Sequence, residues 1–342
     1  MPDTLSSVIA QTWTDFEVIV VDDGSSDDTN AVIAAFEARD SRIKGVRQLN
    51  AGVAAARNHG LRVAKGDLIA PLDADDLWHA EKLAWQIERL ERAGPAAGMV
   101  YCWSSDIDKS GIIVQHRIAL DRWEGDVFAP LVYANFIGNG SVPLIRKGLL
   151  QTIGGWDAAL RDADAQGCED WQLYLRLACR CDVVLAPGFL VGYRQGGQAM
   201  SRNIHAMQRS YDLVMAEGRQ ARPDLPEWLF RWSEGAFALY VAELLLEAGD
   251  RVGAARATMR GIWHDPAWLT RRSTLRKLRR ALRRIAGPVA SSRADQPLPY
   301  PIGLHFSQLM PEPHREEPEG GAMRHCEARI DALRQRAPLA QS

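Results

Sequence analysis

Residues 16–25 read FEVIVVDDGS, an apolar run that ends in two carboxylates and a small-residue turn. Such a run predicts a buried strand over residues 16–21. At the carboxyl end of a parallel strand the turn faces the ligand crevice, where Asp22 or Asp23 can accept hydrogen bonds from a nucleoside base or ribose. A plain turn followed by a helix N-cap is the alternative interpretation.

Strands and helices alternate on both sides of this stretch, through the first two hundred residues. Hydrophobic periodicity predicts helices over residues 4–11, 28–38, 53–64 and 80–93, and strands over residues 16–21, 45–49, 67–72 and 98–103. This order is typical of an α/β fold in which helices cover both faces of a mixed, mainly parallel sheet.

A second acidic turn follows the strand predicted over residues 67–72, where residues 72–77 read LDADDL. Asp73, Asp75 and Asp76 place three carboxylates within four residues, and the usual reason to hold them together is a hard cation shared with substrate phosphates. The loop lacks the Gly and terminal Glu of an EF-hand. Surface acids that cap a helix are the alternative, but two acidic strand ends in one sheet favour a site.

Between the two acidic turns, residues 50–58 read NAGVAAARN. Gly52 and the alanines allow close packing, while Arg57 projects from the first turns of the predicted helix. A guanidinium near a helix N-terminus suits a diphosphate. An ordinary surface arginine is the alternative.

The segments VVDDGSSDDT, NAGVAAARNHG, GDLIAPLDADDLW, GGWD and CEDWQLYLRL, in this order and spacing, resemble a family 2 glycosyltransferase with the GT-A fold. The resemblance covers residues 4–203, about three fifths of the chain. It implies a nucleotide-sugar donor and a divalent metal, Mg²⁺ or Mn²⁺. The residues implied for the nucleotide sugar are Asp22, Asp23, Arg57, Asp73 and Glu169, and those implied for the metal are Asp75 and Asp76.

The resemblance also implies a general base in the pair Glu169 and Asp170, and we assign Asp170 to that role. An acceptor hydroxyl is a poor nucleophile until a positioned carboxylate takes its proton, and this base must lie apart from the metal-bound carboxylates. Without the family, the pair is an acidic helix start that interacts favourably with the helix dipole.

Three features depart from the family pattern. Relatives begin with an apolar strand that lines the nucleotide site, whereas this sequence begins at the helix predicted over residues 4–11. We therefore expect either a start further upstream or a truncation that impairs folding and nucleotide binding. Many relatives carry a metal-binding histidine close after the Tyr193-Arg194 pair, but the next histidine here is His205. The Gln-x-x-Arg-Trp signature of processive synthases is absent, which predicts transfer of a single sugar per encounter.

Composition excludes several classes of protein. The 41 Lys and Arg nearly balance the 43 Asp and Glu, so no overall field exists to hold nucleic acid or an anionic membrane, and such binding must be local. Five cysteines without a Cys-x-x-Cys pair fit a reducing compartment. The first residues contain neither the basic n-region nor the apolar h-region of a cleaved signal peptide. Together these features predict a cytoplasmic protein.

Beyond residue 203 the pattern becomes helical, which predicts a boundary between a transferase domain at residues 1–203 and a helical region at residues 204–286. The longest apolar stretch, residues 235–246, is interrupted by Glu243 and is too short to cross ~30 Å of hydrocarbon. It predicts a buried helix. Residues 287–342 hold eight of the 17 prolines and predict a largely disordered tail, with one short helix over residues 325–336.

Residues 271–284 predict a basic amphipathic helix with one apolar stripe. Its eight positive charges are Arg271, Arg272, Arg276, Lys277, Arg279, Arg280, Arg283 and Arg284. Such a helix, flanked by Trp263 and Trp268, indicates peripheral contact with the inner face of a membrane. Packing of its leucine face on the helical region, or binding of its arginines to the acidic transferase domain, is the alternative.

Two hypotheses of function follow. The first is a metal-dependent, inverting glycosyltransferase of cell-surface glycan or polysaccharide synthesis, with a glycan or lipid-linked acceptor and no nucleic acid partner. The second is a catalytically impaired nucleotide-binding or scaffold protein that has lost the first strand. The hypothesis of a Rossmann dehydrogenase has less support, because no Gly-x-Gly-x-x-Gly motif follows the first strand and Gly138-Asn139-Gly140 does not match that motif.

Overall fold

Helices and strands alternate from Pro2 to Arg194 in the computed structural model, which describes residues 1–117, 122–195, 203–265, 302–310 and 329–333. The strands are β1 (Val18–Asp22), β2 (Ile43–Arg47), β3 (Leu68–Ile69), β4 (Leu77–Trp78), β5 (Ala97–Ile107), β6 (Ile113–Arg117), β7 (Leu144–Arg146) and β8 (Asp182–Arg194). The helices are α1 (Pro2–Ile9), α2 (Thr29–Glu37), α3 (Val53–Val63), α4 (Lys82–Ala93), α5 (Phe128–Tyr133), α6 (Lys147–Thr152), α7 (Ala159–Asp162), α8 (Glu169–Ala178), α9 (Ile204–Ala221), α10 (Glu227–Glu247) and α11 (Arg251–His264). The predicted α/β class with a helical C-terminal region is confirmed.

Two groups of strands carry the acidic turns. β1 and β2 pair with each other, and β3, β7, β5, β8 and β4 lie side by side in that order, with β6 along β5. β5 is the centre of the larger sheet and is buried along its whole length. A strand covered on both faces is apolar nearly throughout, which explains the run AGMVYCW at its start.

The strand directions differ from the mainly parallel sheet that we expected. Among the described strands, β1–β2 and β5–β8 are parallel, whereas β3–β7, β4–β8, β5–β6 and β5–β7 are antiparallel. The expectation came from the alternation before residue 104, but the strands that pair with β5 come later in the chain. An apolar run predicts a strand and not its direction, because direction depends on the connections and on the partner strand.

One cation lies inside the core. Lys82, at the start of α4, is fully buried, with Nζ donating to Gln86 Oε1 at 2.7 Å and lying 4.1 Å from the ring centre of Trp78. Burial lowers the pKa of Lys82 to about 8, from an ordinary value of 10.5. The protonated Lys82 side chain therefore lowers the free energy of unfolding below pH 8. This destabilisation decreases as the pH rises from about 8 to 10.5.

We expect Lys82→Met to remove this pH dependence. Between pH 7.5 and 9.5 the free energy of unfolding of the wild type should rise by about 2 kcal/mol relative to that of the variant, because the folded state releases its Lys82 proton at lower pH than the unfolded state. Urea unfolding of both proteins at the two pH values measures the difference. Parallel pH profiles would contradict a depressed pKa for Lys82.

The helices after residue 203 pack onto the sheet-bearing part of the chain. The Asn203 side chain caps α9 by accepting from Ala206 N at 3.1 Å. Tyr211 of α9 stacks on Phe237 of α10 at 3.9 Å between ring centres and lies beside Trp171 of α8. The helix predicted over residues 235–246 lies within α10, as expected. None of the helices in the described ranges is both long and apolar enough to cross a membrane.

Two short segments of the predicted tail, residues 302–310 and 329–333, fall within the part of the chain that the structure describes. Residues 302–310 lie along β6, with Ile113 N donating to Leu304 O at 2.8 Å, and Phe306 and Leu309 join the main hydrophobic cluster. Residues 329–333 are helical, within the short helix predicted over residues 325–336. Burial of the Phe306 and Leu309 side chains helps to hold this segment against the sheet. The basic segment at residues 271–284 lies outside the described residues.

Candidate active site

The first acidic turn follows β1, and its first carboxylate serves the turn itself. Asp22 is buried, and its Oδ1 accepts from Ser25 N at 2.8 Å while Oδ2 lies 3.3 Å from Arg47 Nε of β2. The hydrogen bonds from Ser25 lower the pKa of Asp22. Gly24, with φ +79°, allows the sharp change of direction after the strand. Asp22 thus fixes the turn that presents Asp23.

Asp23 holds the loop that leads into α3. Its Oδ1 accepts from Gln48 Nε2 and from Ala51 N, both at 2.8 Å, and its Oδ2 accepts from Gly52 N at 2.8 Å. Burial would raise the pKa of this carboxyl, but the hydrogen bonds outweigh burial and the pKa is lowered. Asp23 therefore couples the end of β1 to the N-terminus of the helix that carries Arg57.

The second acidic turn, between β3 and β4, separates its carboxylates by environment. Asp75 is exposed, whereas Asp76 is fully buried. Asp76 Oδ2 accepts from Ser141 Oγ at 2.5 Å, and Oδ1 accepts from Arg194 N of β8 at 2.9 Å. Burial, followed by the nearby Asp73, raises the pKa of Asp76 to about 8. Both oxygens of Asp76 are engaged by the protein, while the Asp75 carboxylate faces outward.

Arg57 joins the second acidic turn to the predicted base. Its Nη2 donates to Asp73 Oδ1 at 2.6 Å, and its Nη1 donates to Asp170 Oδ1 at 2.5 Å. The guanidinium is largely buried and lies 5.8 Å from the ring centre of Trp156. The two carboxylates raise the pKa of Arg57 further despite burial. Three predicted site residues, from α3, the β3–β4 turn and α8, thus form one ion-paired group.

The two acidic residues at the start of α8 have different environments. Glu169 is buried, and its Oε2 accepts from Gly167 N at 2.9 Å, which closes the turn before the helix. Asp170 keeps part of its surface exposed and pairs with Arg57. Burial raises the pKa of Asp170, Arg57 opposes this rise, and Asp73 and Glu169 add to it. A carboxylate with a raised pKa accepts a proton more readily than an ordinary aspartate.

The sequence interpretation missed the residues that enclose this ion-paired group. Ser141 Oγ accepts from Asp73 N at 3.0 Å and donates to Asp76, so it holds both ends of the second acidic turn. Tyr174, buried in α8, donates to Asn139 O at 3.0 Å. The signal for these residues in the sequence is the run GNGS at residues 138–141, which lacks the spacing of the dinucleotide motif. Trp156, from the GGWD segment, supplies the aromatic face beside Arg57.

Gly140 approaches the ion-paired group so closely that no side chain fits. A Cβ at this position would lie 2.3 Å from Arg57 Nη2 and 2.9 Å from Asp170 Oδ2. Carboxylates on two sides hold the guanidinium in this position, next to Gly140. The glycine therefore permits the bridge between Asp73 and Asp170.

We expect Gly140→Ala to displace Arg57, to destabilise the fold by about 1–3 kcal/mol through overpacking, and to lower transfer activity with it. Gly148→Ala in α6 is the matched control, because a Cβ there meets nothing within 4 Å. That change should be neutral or stabilise the helix by about 0.5–1 kcal/mol. Urea unfolding and activity assays compare the two variants, and equal behaviour would contradict the crowding at residue 140.

The second acidic turn carries carboxylate oxygens, the ligand atoms that hard divalent cations prefer. In the described part of the chain, no three His, Cys, Asp or Glu side chains are grouped to enclose a metal ion. Mg²⁺ commonly takes only one or two protein carboxylates and completes its shell with waters and substrate phosphates. The exposed Asp75 with the half-exposed Asp73 offers such a partial set. Burial, followed by the neighbouring Asp73 carboxylate, raises the pKa of Asp75.

Residues 1–139 match the family model described as Glycosyl transferase family 2. The UDP-Glc:alpha-D-GlcNAc-diphosphoundecaprenol beta-1,3-glucosyltransferase WfgD of Escherichia coli is 46% identical over 88 residues, 25% of this chain and 34% of that protein. The putative teichuronic acid biosynthesis glycosyltransferase TuaG of Bacillus subtilis (strain 168) is 42% identical over 87 residues, 25% of this chain and 34% of that protein. An uncharacterized glycosyltransferase of Rickettsia conorii is 42% identical over 89 residues, 26% of this chain and 15% of that protein. The chain therefore spans between 15% and 34% of the length of these relatives.

Solved structures of two transferases align with most of the chain at low identity. S. aureus TarS 1–349 in complex with UDP-GlcNAc is 16% identical with a TM-score of 0.45, over 81% of this chain and 87% of that chain. The mannosyltransferase PcManGT from Pyrobaculum calidifontis, in complex with GDP-Man and Mn²⁺, is 16% identical with a TM-score of 0.45, over 82% of each chain.

The family match contains both acidic turns and Arg57, whereas Glu169 and Asp170 lie beyond it. The resemblance predicted from the motifs is therefore confirmed for the part of the chain that carries most of the ion-paired group. Residues 1–139 thus match the model of glycosyl transferase family 2, as the order of the motifs predicts.

Proposed function

We propose that this chain transfers a sugar from a nucleotide-sugar donor to an acceptor hydroxyl, with inversion at the anomeric carbon. The observation that carries the proposal is the Arg57 bridge, which joins the acidic turn of the matched family region to Asp170. It brings together a guanidinium that can bind a diphosphate, carboxylates that can bind a metal ion and a carboxylate that can accept a proton. These are the charges that displacement of a nucleoside diphosphate by an alcohol requires.

In this proposal, the donor lies across the ends of β1 and β3. The turn at Asp22 and Asp23 faces the nucleoside, and Asp73 faces the ribose. Arg57 is placed for the diphosphate, because its guanidinium can exchange carboxylate partners for phosphate oxygens of similar geometry. Glu169 and Asp76 position the loops of the site, since their carboxylate oxygens accept hydrogen bonds from the protein.

We place a divalent cation, Mg²⁺ or Mn²⁺, on Asp75, with Asp73 beside it. Such an ion neutralises negative charge on a departing diphosphate. Asp76 was predicted as a second metal residue. Because its carboxylate is buried and bonded to Ser141 and Arg194, we propose instead that Asp76 positions the turn from which Asp75 projects.

Asp170 is the proposed general base. Arg57 pairs with it in the structure, and a diphosphate that draws the guanidinium away leaves the Asp170 carboxylate free to act. The acceptor O–H bond then breaks, its proton passes to a carboxylate oxygen of Asp170, and the acceptor oxygen forms a bond to the anomeric carbon. The bond from that carbon to the diphosphate oxygen breaks on the opposite face, which accounts for inversion.

The acceptor is proposed to be a growing cell-surface glycan, free or linked to a lipid. Two relatives support this class: the name of WfgD contains a diphosphoundecaprenol-linked sugar, and that of TuaG contains teichuronic acid biosynthesis. Transfer of one sugar per encounter remains the prediction from the sequence.

The test is a panel of UDP-, GDP- and dTDP-sugars, incubated with the full chain and Mg²⁺ or Mn²⁺, with free nucleotide as the readout. We expect one donor class to be hydrolysed slowly without acceptor, and EDTA to stop the reaction. Nucleotide binding without turnover for any donor and acceptor glycan would instead support the scaffold alternative.

A further inference from the structure

The outer face of α11 exposes large apolar side chains in a stripe. Val252, Met259 and Trp263 have exposed fractions of 63%, 71% and 77%. At spacings of seven and four residues they lie along one side of the helix. We call these three side chains the α11 stripe.

Packing against α10 holds the α11 stripe outward. The opposite side of α11 presents Ala254, Thr258 and Gly261, which are buried. A Cβ at Gly235 of α10 would lie 3.1 Å from Gly261 O, so the two backbones are nearly in contact there. The small residues permit this close approach, and rotating α11 would force larger side chains into the contact. The outward direction of the α11 stripe is therefore set by the fold.

Arginines accompany the α11 stripe. Arg256 and Arg260 are exposed on the same side of the helix. Glu243, Glu247 and Asp250 lie near the start of α11, at the opposite end from Trp263, because α10 and α11 run in opposite directions. Glu234 of α10 lies at the Trp263 end, where it is mostly buried, pairs with Arg219 at 2.8 Å and lies 3.0 Å from His264 Nδ1. The end of α11 that carries Met259 and Trp263 is thus cationic and apolar.

The sequence continues this character beyond α11. Residues 251–286 contain eleven Arg and Lys and a single acidic residue, Asp265. Asp265 is buried in the structure, so its side chain is not part of the outer surface of this end.

We propose that the α11 stripe rests on the surface of a bilayer that contains anionic lipid. Trp263 would lie at the headgroup level, Met259 in the outer part of the acyl region, and Arg256 and Arg260 against lipid phosphates. A nucleic acid would use the arginines but would leave the apolar side chains in water, so the combination favours a membrane surface. This inference does not depend on the proposed sugar transfer.

Vesicle flotation with the full chain tests the proposal, using phosphatidylcholine alone and phosphatidylcholine with phosphatidylglycerol, each at 50 and 300 mM NaCl. We expect binding that requires the anionic lipid and weakens at high salt. The double variant Met259→Gln with Trp263→Gln should bind at least tenfold more weakly. The control pair Val114→Gln with Leu213→Gln, which are exposed apolar residues of β6 and α9, should bind like the wild type.

Brominated lipid locates the contact. Tryptophan fluorescence of the wild type should be quenched on binding, and Trp263→Phe should remove most of the quenching while leaving flotation nearly unchanged. Thermal unfolding by circular dichroism confirms that each variant is folded. No flotation, equal loss in both double variants, unchanged quenching in Trp263→Phe, or binding to a DNA duplex without binding to vesicles would overturn the proposal.

Discussion

Asp170→Asn should lower the rate of sugar transfer by about 10²- to 10⁴-fold and leave donor binding nearly intact, which is the range expected for loss of a general base. The amide has the size of the carboxylate, and its oxygen can still accept from Arg57 Nη1, which donates to Asp170 at 2.5 Å. It cannot take the acceptor proton. Binding and chemistry should therefore separate in this variant.

Steady-state transfer, together with donor affinity by titration calorimetry, measures that separation once the panel has identified a donor. The control is Asp162→Asn, the same substitution at an exposed aspartate of α7, and this variant should behave like the wild type. Normal transfer by Asp170→Asn, or loss of donor binding as complete as the loss of transfer, would contradict the assignment of the base.

Asp75→Asn should lower transfer by about 10²-fold or more at saturating Mg²⁺ or Mn²⁺, because removing one positioned electrostatic stabiliser has effects of this size. The Asp75 carboxylate is exposed at the second acidic turn, so the change should leave the melting temperature almost unaltered. The loss therefore concerns only the state with metal and diphosphate present.

Turnover as a function of metal concentration, with thermal unfolding of the same preparations, tests this expectation. If Asp75→Asn needs a higher metal concentration for half-maximal turnover, in proportion to its loss of rate, the result would support metal binding by the Asp75 carboxylate. Wild-type turnover in Asp75→Asn would remove Asp75 from the site.

The local part of the site could be predicted from the sequence. An apolar run of five or six residues predicted β1, and Asp22 and Asp23 follow it as expected. The second turn was also expected after a strand, although β3 is limited to Leu68–Ile69. Each inference used residues that are neighbours in the chain, where periodicity and turn chemistry act directly.

The roles within each acidic pair could not be predicted. Asp75 and Asp76 are adjacent, yet one is exposed and the other is buried against Ser141 and Arg194, 65 and 118 residues away in the chain. The same division separates Glu169 from Asp170. Burial depends on what the rest of the chain places nearby, which adjacent residues do not specify.

The α/β class, the resemblance to the family and the residue types available for chemistry could be inferred without the structure, because they follow from local composition, spacing and motif order. The folded chain was needed to define the strand directions, the close approach of Gly140 to Arg57 and the pairing of Arg57 with Asp73 and Asp170. Asp170 is 113 residues from Arg57 in the chain, and the contact exists because α8 and α3 meet beside the β3–β4 turn. The physical reason is that ion pairing and burial depend on distance in space, and the packing of the whole chain sets that distance.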